Sequence, residues 1–292
     1  MTLSLTTSRV AIAALLTGAV VWGLIWYPYR VLQGVGLSGA ASAVLTYGVA
    51  LIFARLAFAR AFRQLRPSWM LVWIGLAAGG CNLGYVLAML HGEVMRVLLL
   101  FYLAPLWTVL LSRLLLGERL RSAGVWVIGL SVAGAVTMLW HPELGVPWPD
   151  SAAEWTGLAA GFLFALSNVL IRKTPDLPIE VKSSAVFLGV VVIGAAVMPF
   201  SGGLPVAALL RTDALIMLAL LGGLLLVINF VVQYGLTHTT ANRAIVIFLF
   251  ELVVAAASSW LLAGEAMGPK EWLGGVMIVG AGLFSARLGE SA

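Results

Sequence analysis

Charge and cysteine are both scarce in this chain. Only 10% of its 292 residues are charged and 62% are hydrophobic, a composition far from that of an average soluble domain. Cys81 has no second cysteine with which to form an internal disulfide, so nothing indicates a disulfide-stabilised secreted fold. The basic residues lie in short loops between apolar runs and do not cluster as on a nucleic-acid-binding surface. The composition therefore predicts a membrane protein that binds no nucleic acid.

Signatures of enzymes and of metal or cofactor sites are also missing. The sequence has no GxxxxGK[ST] loop, no HExxH, no GxSxG and no Cys/His cluster with metal-ligand spacing. We therefore expect no cofactor, no bound metal and no ATP hydrolysis. A membrane-embedded enzyme would normally place several acids or histidines in one sizeable loop, whereas the loops here are short. A membrane-embedded enzyme and an accessory membrane protein are the alternatives to a transporter.

Long apolar runs predict an all-α membrane protein with ten transmembrane helices. A helix needs about 20 mostly apolar residues to cross the bilayer core. The ten qualifying segments are 10–29, 38–59, 68–90, 94–116, 123–140, 155–171, 183–200, 214–236, 241–263 and 271–286.

The distribution of basic residues predicts the orientation of these spans. If the N-terminus is inside, thirteen of the 17 Lys and Arg fall on or near the cytoplasmic side. The loop 141–154, which has acids but no Lys or Arg, then lies outside. Because cytoplasmic loops are enriched in basic residues, both termini are predicted to be cytoplasmic, in a bacterial-type inner membrane.

The chain contains an internal repeat with an offset of 147 residues. The matching positions are Asn82 with Asn229, His91 with His238, Arg96 with Arg243, Ser112 with Ser259, Gly117 with Gly264, and Glu118 with Glu265. Because each copy holds five predicted spans, the second copy must enter the membrane with the opposite polarity. Residues 1–150 and 151–292 are therefore predicted to be two inverted five-helix repeats, a common construction of secondary transporters.

Three stretches carry a family resemblance, namely residues 102–107 (YLAPLW), 115–120 (LLGERL) and 262–265 (LAGE). Through them the chain resembles the EamA-type drug/metabolite transporters, and the resemblance covers essentially the whole chain. Within that family, the aromatic residues and the run 82–85 (NLGY) look most like the aromatic amino acid exporters of the YddG type. One departure is that Leu252 stands in the second copy where the first copy has Pro105.

The resemblance implies an inner-membrane exporter that moves aromatic and other neutral amino acids by alternating access. Its expected partners are an amino acid substrate and the lipid bilayer, and a monomer is the expected state. A strongly anionic substrate is disfavoured because nearly all Lys and Arg lie at the ends of spans. A quaternary cation, as carried by multidrug exporters of the same superfamily, is the alternative substrate.

Polar and aromatic side chains deep in the spans are candidates for the substrate site, because polar groups inside a membrane usually face other helices or a water-filled cavity. Asn82 and Tyr85 share one helix face, as do Asn229 and Gln233. Further candidates at similar depth are Trp22, Tyr102, Trp107 and Asn168. Interhelical hydrogen bonding is the alternative role for each amide, and core packing is the alternative for each ring.

Three charged residues are candidates for coupling or gating. Glu251 is a carboxylate near the middle of the ninth predicted span, where a proton-coupled carrier would place a titratable group. A hydrogen bond to a helix carbonyl is its alternative role. Arg96 and Arg243 begin the fourth and ninth spans at opposite membrane faces, where each would either snorkel to the interface or pair with an acid when its side closes. Glu118 and Glu265 follow glycines at span ends and are expected in turns or caps.

Overall fold

The computed structural model describes residues 5–59, 68–92, 94–120, 122–140, 142–144, 148–203, 206–263 and 268–288. Throughout these residues the regular structure is helical, as predicted. The α-helices are α1 (Leu5–Leu24), α2 (Trp26–Gly34), α3 (Gly39–Ala57), α4 (Trp69–His91), α5 (Val94–Phe101), α6 (Ala104–Leu116), α7 (Ser122–Leu139), α8 (Ala152–Lys173), α9 (Ile179–Val197), α10 (Val206–Leu209), α11 (Thr212–His238), α12 (Ala241–Phe248), α13 (Phe250–Ser258) and α14 (Pro269–Leu288). Short 3-10 turns cover Pro142–Leu144 and Met198–Ser201, and a π-helical turn covers Ser259–Ala263.

Nine helical stretches in the described part of the chain are long and apolar enough to cross a membrane. They coincide with the first nine predicted segments. The tenth predicted segment, 271–286, lies within α14, which packs against α7 but is not one of the nine. The prediction of ten transmembrane helices is therefore not confirmed. Residues 264–267, which include the predicted Gly-Glu pair of the second copy, lie outside the described residues.

Two spans are interrupted at matching positions of the sequence repeat. The fourth span breaks at Tyr102 and Leu103, between α5 and α6, and the ninth breaks at Leu249, between α12 and α13. Tyr102 and Leu249 are 147 residues apart, the offset of the repeat. Pro105 follows the first break in the first turn of α6, where the fixed φ of proline suits a helix start. Since Leu252 occupies the matching position in α13, the second break does not require a proline.

Glycines set the closest helix crossings. A Cβ on Gly189 of α9 would overlap the backbone of Gly75 in α4, and one on Gly79 would overlap Gly189. On α8, a Cβ on Gly161 would overlap the Phe101 carbonyl at the end of α5. Close approach of this kind is what small residues four apart permit in membrane helices. Since α8 packs against both α4 and α5, these three helices meet beside the break in the fourth span.

Candidate functional site

Tyr102 and Glu251 form a polar pair at the two helix breaks. Tyr102 lies in the break between α5 and α6, and Glu251 lies in the first turn of α13, directly after the other break. Their side chains hydrogen bond to each other. Cys81 and Tyr85 of α4 lie close enough for their side chains to interact electrostatically with the Glu251 carboxyl. Residues from both predicted repeats therefore meet at this pair.

Glu251 is half-buried although it lies in the middle of a predicted span. A carboxyl group exposed to lipid at that depth would be costly, so ionisable residues inside membranes face the helix bundle or a water-filled cavity. Tyr85 of α4 and Tyr102 of the fourth span lie close to the Glu251 carboxyl. Polar side chains of other spans therefore adjoin this carboxyl within the helix bundle.

A file of aromatic rings runs beside this pair. The ring centroids of Tyr85 and Phe101 are 5.0 Å apart, and those of Phe101 and Tyr102 are 5.2 Å apart. Phe164 of α8 continues the file, 5.6 Å from Phe101 and 5.7 Å from Phe248. These distances lie within the 4.5–7 Å range of favourable aromatic pairs. Phe101, Tyr102 and Phe248 are buried, so the file forms an apolar core next to one carboxyl group and one phenol.

Sequence reasoning identified Tyr85, Tyr102 and Glu251 but missed the three phenylalanines. Phe101 and Phe248 are identical residues at the repeat offset of 147, so the comparison that detected the repeat could have identified them. Phe164 carries no such signal, because one more phenylalanine in an apolar span is ordinary. Only the packing of α8 against α5 and α12 reveals its position between the other two rings.

The paired amides bond to their own helices. Asn82 Nδ2 donates to the Ala78 carbonyl and Asn229 Nδ2 donates to the Leu225 carbonyl, each over 3.0 Å. Asn82 also accepts a hydrogen bond of 3.1 Å from the Tyr47 hydroxyl. Asn82 is half-buried, whereas Asn229 is buried. The repeat thus preserves the same local hydrogen bond in both copies, and substrate binding by either amide stays a prediction.

Three other predicted site residues hold buried polar atoms that have no hydrogen-bond partner among the described residues. These atoms are Gln233 Oε1, Asn168 Nδ2 and Trp107 Nε1. Trp107 lies apart from the aromatic file, since its ring packs edge-on against Phe162 at 5.5 Å, in a cluster with Leu111 and Val169. An unpaired polar atom in a buried setting is costly, so Gln233, Asn168 and Trp107 each retain unused hydrogen-bonding capacity.

Trp22 is half-buried and packs against the apolar cluster that contains Phe248. Its neighbour one turn on, Trp26, donates a hydrogen bond of 2.9 Å from Nε1 to the Ser258 hydroxyl. Arg243 lies in the first turn of α12, where Nη1 contacts the Ser8 hydroxyl at 3.5 Å. Arg96 lies in α5, and its side chain is outside what the structure describes. The gating roles predicted for both arginines therefore stay predictions.

Comparisons with known proteins agree with this architecture. The profile of the EamA-like transporter family matches the chain twice, at residues 9–140 and 151–287. A riboflavin transporter of Rhizobium johnstonii (strain DSM 114642 / LMG 32736 / 3841) is 29% identical over 262 residues, which cover 85% of this chain and 81% of that protein. A protein of known crystal structure is 20% identical, with a TM-score of 0.78 over 96% of this chain and 98% of its own, so the two share a fold.

Proposed function

This chain belongs to the EamA-like transporter family, and we propose that it is a secondary transporter of neutral or zwitterionic planar aromatic solutes. The observation that carries this proposal is the aromatic file of Tyr85, Phe101, Phe164 and Phe248, which lies beside the Tyr102–Glu251 pair. Ring faces and edges bind a planar solute, and the polar pair orients it through hydrogen bonds. The proposed direction is outward, across a bacterial-type inner membrane, with both termini cytoplasmic.

Two inverted repeats, residues 1–150 and 151–292, would supply the alternating access. Three observations support this arrangement. The family profile matches each half separately. The fourth and ninth spans break at positions separated by the repeat offset. The packing is also paired, because α4 contacts α8 and α9 just as α11 contacts α1 and α3. Two equivalent halves with a site at their shared interface can expose it to each side in turn.

An aromatic amino acid fits the chemistry of the site. Its ring would lie against the aromatic file, and its ammonium group would meet the Glu251 carboxyl. The described Lys and Arg side chains lie at or near helix ends; Arg172 and Lys182, for example, occupy the last turn of α8 and the start of α9. Because these described cationic groups lie at helix ends, a strongly anionic solute in the middle of the spans would lack a counter-charge. Export of aromatic and other neutral amino acids is therefore the first candidate.

A flavin is the second candidate, favoured by the 29% identity to a protein named as a riboflavin transporter. A flavin ring is planar and uncharged, and its edge carries both a hydrogen-bond donor and acceptors. The Tyr102 hydroxyl and the Glu251 carboxyl offer complementary partners for such an edge. The aromatic file includes rings from α4, α5, α8 and α12. This file is long enough to contact more than one of the fused rings of a flavin.

Counterflow in proteoliposomes tests these candidates directly. Proteoliposomes that contain the purified protein would be loaded with unlabelled Trp, Phe, Thr, Met, riboflavin or tetraethylammonium. Uptake of the same compound in labelled form would then be measured. Saturable exchange of Trp and Phe supports amino acid transport, and exchange of riboflavin alone supports flavin transport. Exchange of tetraethylammonium alone would instead assign the protein to the multidrug exporters. Absence of exchange for every planar aromatic compound would overturn the proposal.

A further inference from the structure

Glu118 caps a helix that belongs to the other half of the chain. It directly follows Gly117, whose φ of 70° ends α6 in the left-handed region that glycine tolerates. Its Oε1 accepts a hydrogen bond of 3.2 Å from the backbone N–H of Ala241, the first residue of α12. Its Oε2 accepts a hydrogen bond of 3.2 Å from Asn242 Nδ2. The first N–H groups of a helix lack partners within it and attract negative charge, so the contact is favourable.

The same carboxylate anchors a wider polar network, which we call the closing network: Ser112, Glu118, Arg172, Ala241 and Asn242. Asn242 Nδ2 also donates to the Ser112 hydroxyl over 2.9 Å. Arg172 Nε lies 4.0 Å from Glu118 Oε1, and Arg172 Nη1 donates to the Thr237 carbonyl near the end of α11. The network therefore ties together the ends of α6, α8 and α11 and the start of α12.

Lys182 is buried beside the closing network and adds two hydrogen bonds at the same end of the bundle. It is 0% exposed, and its Nζ donates to the Thr237 hydroxyl over 2.6 Å and to the Thr174 carbonyl over 3.2 Å. Both acceptors lie near C-terminal helix ends, where a cation is stabilised by the helix dipole. The Arg172 and Lys182 cations thus lie near the C-terminal ends of α8 and α11. The Glu118 carboxylate lies at the start of α12, so each charge is near a helix end of opposite partial charge.

We propose that Glu118 is a positioning residue that holds this end of the transporter closed, and that opening this end requires its carboxylate to leave the start of α12. The inference rests on the proposed transport function, because it gives Glu118 control over the side of the membrane from which a solute reaches the site. The bond joins α6 of the first predicted repeat to α12 of the second. The two halves cannot separate at this end while the bond persists.

Thr240 makes the bond replaceable. It is the N-cap residue of α12, with φ −65° and ψ 146°, but its side chain makes no capping hydrogen bond. Threonine is a good N-cap residue whose hydroxyl normally accepts from the N–H of the second or third helical residue. When Glu118 leaves, a side-chain rotation lets the Thr240 hydroxyl accept from the N–H of Asn242 or Arg243 and leaves the Ala241 N–H to water. The start of α12 therefore keeps one capping acceptor in both states, which lowers the free-energy cost of opening.

Thiol labelling from either side of the membrane tests the proposal without a transported substrate. The reporter is Tyr85→Cys in a Cys81→Ala background, and the probe is a membrane-impermeant methanethiosulfonate applied to inside-out or right-side-out vesicles. Glu118→Ala is expected to raise the labelling rate from the Glu118 side about tenfold, because it removes two hydrogen bonds to a charged acceptor. Labelling from the opposite side should fall. Glu118→Gln, which keeps one acceptor oxygen, should give an intermediate change.

Asp176→Asn is the matched control, because it neutralises an exposed carboxylate in the turn after α8 at the same end of the bundle. It should leave both labelling rates unchanged. Equal rates from the Glu118 side in wild type and Glu118→Ala would overturn the proposal, and so would a parallel rise from both sides, which indicates general loosening. If the wild type exchanges no aromatic solute in counterflow, the proposed function fails while the labelling result still decides the role of Glu118.

A reversible cross-link provides an independent measurement. Ser112 Oγ and Asn242 Nδ2 are 2.9 Å apart across the two halves, so Ser112→Cys with Asn242→Cys places two thiols at this contact in the Cys81→Ala background. Oxidation should stop counterflow in this pair variant, and it should abolish labelling from this end when Tyr85→Cys is added to the pair. Dithiothreitol, removed before labelling or counterflow is measured, should restore both. Full counterflow in the oxidised, cross-linked protein would contradict a closing role.

Discussion

Phe101 and Phe248 both contact the ring of Phe164, at centroid distances of 5.6 and 5.7 Å. They are repeat-related residues, 147 positions apart, and each is the last residue of the helix that precedes a break. A single side chain of α8 therefore links the breaks of the fourth and ninth spans. Movement of either break must therefore change the contacts of Phe164, which lies in the file of rings proposed to bind the solute.

Replacing Phe164 by leucine tests the role of its ring in binding. The change keeps an apolar side chain of similar size, so we expect the stability cost to stay below about 1.5 kcal/mol. Loss of the ring contacts should weaken binding of an aromatic solute about tenfold, which counterflow would record as a raised KM. Phe162→Leu on the same helix is the control, since Phe162 packs against Trp107 outside the aromatic file. Equal KM changes in the two variants would contradict a binding role for Phe164.

Glu251→Gln separates charge from hydrogen bonding at the polar pair. Glutamine can still hydrogen bond to Tyr102 but cannot carry or release a proton. We expect flux driven by a pH gradient to disappear in this variant, while counterflow of the same solute continues at a reduced rate. Both are measured in proteoliposomes with and without an imposed pH gradient. Unchanged pH-driven flux would remove Glu251 from the coupling step.

Tyr102→Phe should weaken the same pair from the other side. The substitution removes the hydroxyl that bonds to Glu251 while keeping the ring that contacts Phe101. A double-mutant cycle with Glu251→Met, whose side chain cannot form this hydrogen bond, should give a coupling free energy of about 0.5–1.5 kcal/mol when it is based on unfolding in detergent. Additive effects of the two substitutions would show that the contact contributes nothing to stability.

Gly161→Ala should destabilise the packing of α8 against α5. An added Cβ would overlap the Phe101 carbonyl, and overpacking of this kind typically costs about 1–3 kcal/mol. Gly48→Ala in α3 is the control, because a Cβ at that position meets nothing within 4 Å. There the helix propensity of alanine should stabilise the protein by roughly 0.5–1 kcal/mol. The measurement is thermal unfolding in detergent, and equal Tm values for the two variants would refute the packing argument.

Lys182→Met should destabilise the end of the bundle that carries the closing network. The Thr174 carbonyl and the Thr237 hydroxyl would both lose the Lys182 ammonium donor. A lost buried partner typically costs about 1–3 kcal/mol, and chemical unfolding in detergent would measure it. Lys173→Met is the control, since Lys173 is an exposed residue in the last turn of α8. Its effect should stay within about 0.5 kcal/mol.

Local patterns in the sequence were enough to predict the helical class and the positions of nine spans. The apolar length of a span is a property of consecutive residues, because a membrane helix satisfies its backbone hydrogen bonds within one segment. The repeat offset was equally readable, and it identified the matching positions of the two helix breaks. For the same reason Asn82 and Asn229 behave alike, since each bonds to a carbonyl four residues earlier in its own helix.

Contacts between helices were decided only by the tertiary structure. Glu118 was expected in a turn or a cap, and the structure shows that the helix it caps is α12 of the other half, which the sequence did not indicate. Trp107 was grouped with Tyr85 and Tyr102 by depth, yet its ring packs against Phe162 in a separate cluster. Depth along a span follows from residue number, whereas the partner of a side chain depends on the rotation and crossing of each helix. Many apolar residues of similar character specify those crossings together, so the crossings cannot be predicted from any single position in the sequence.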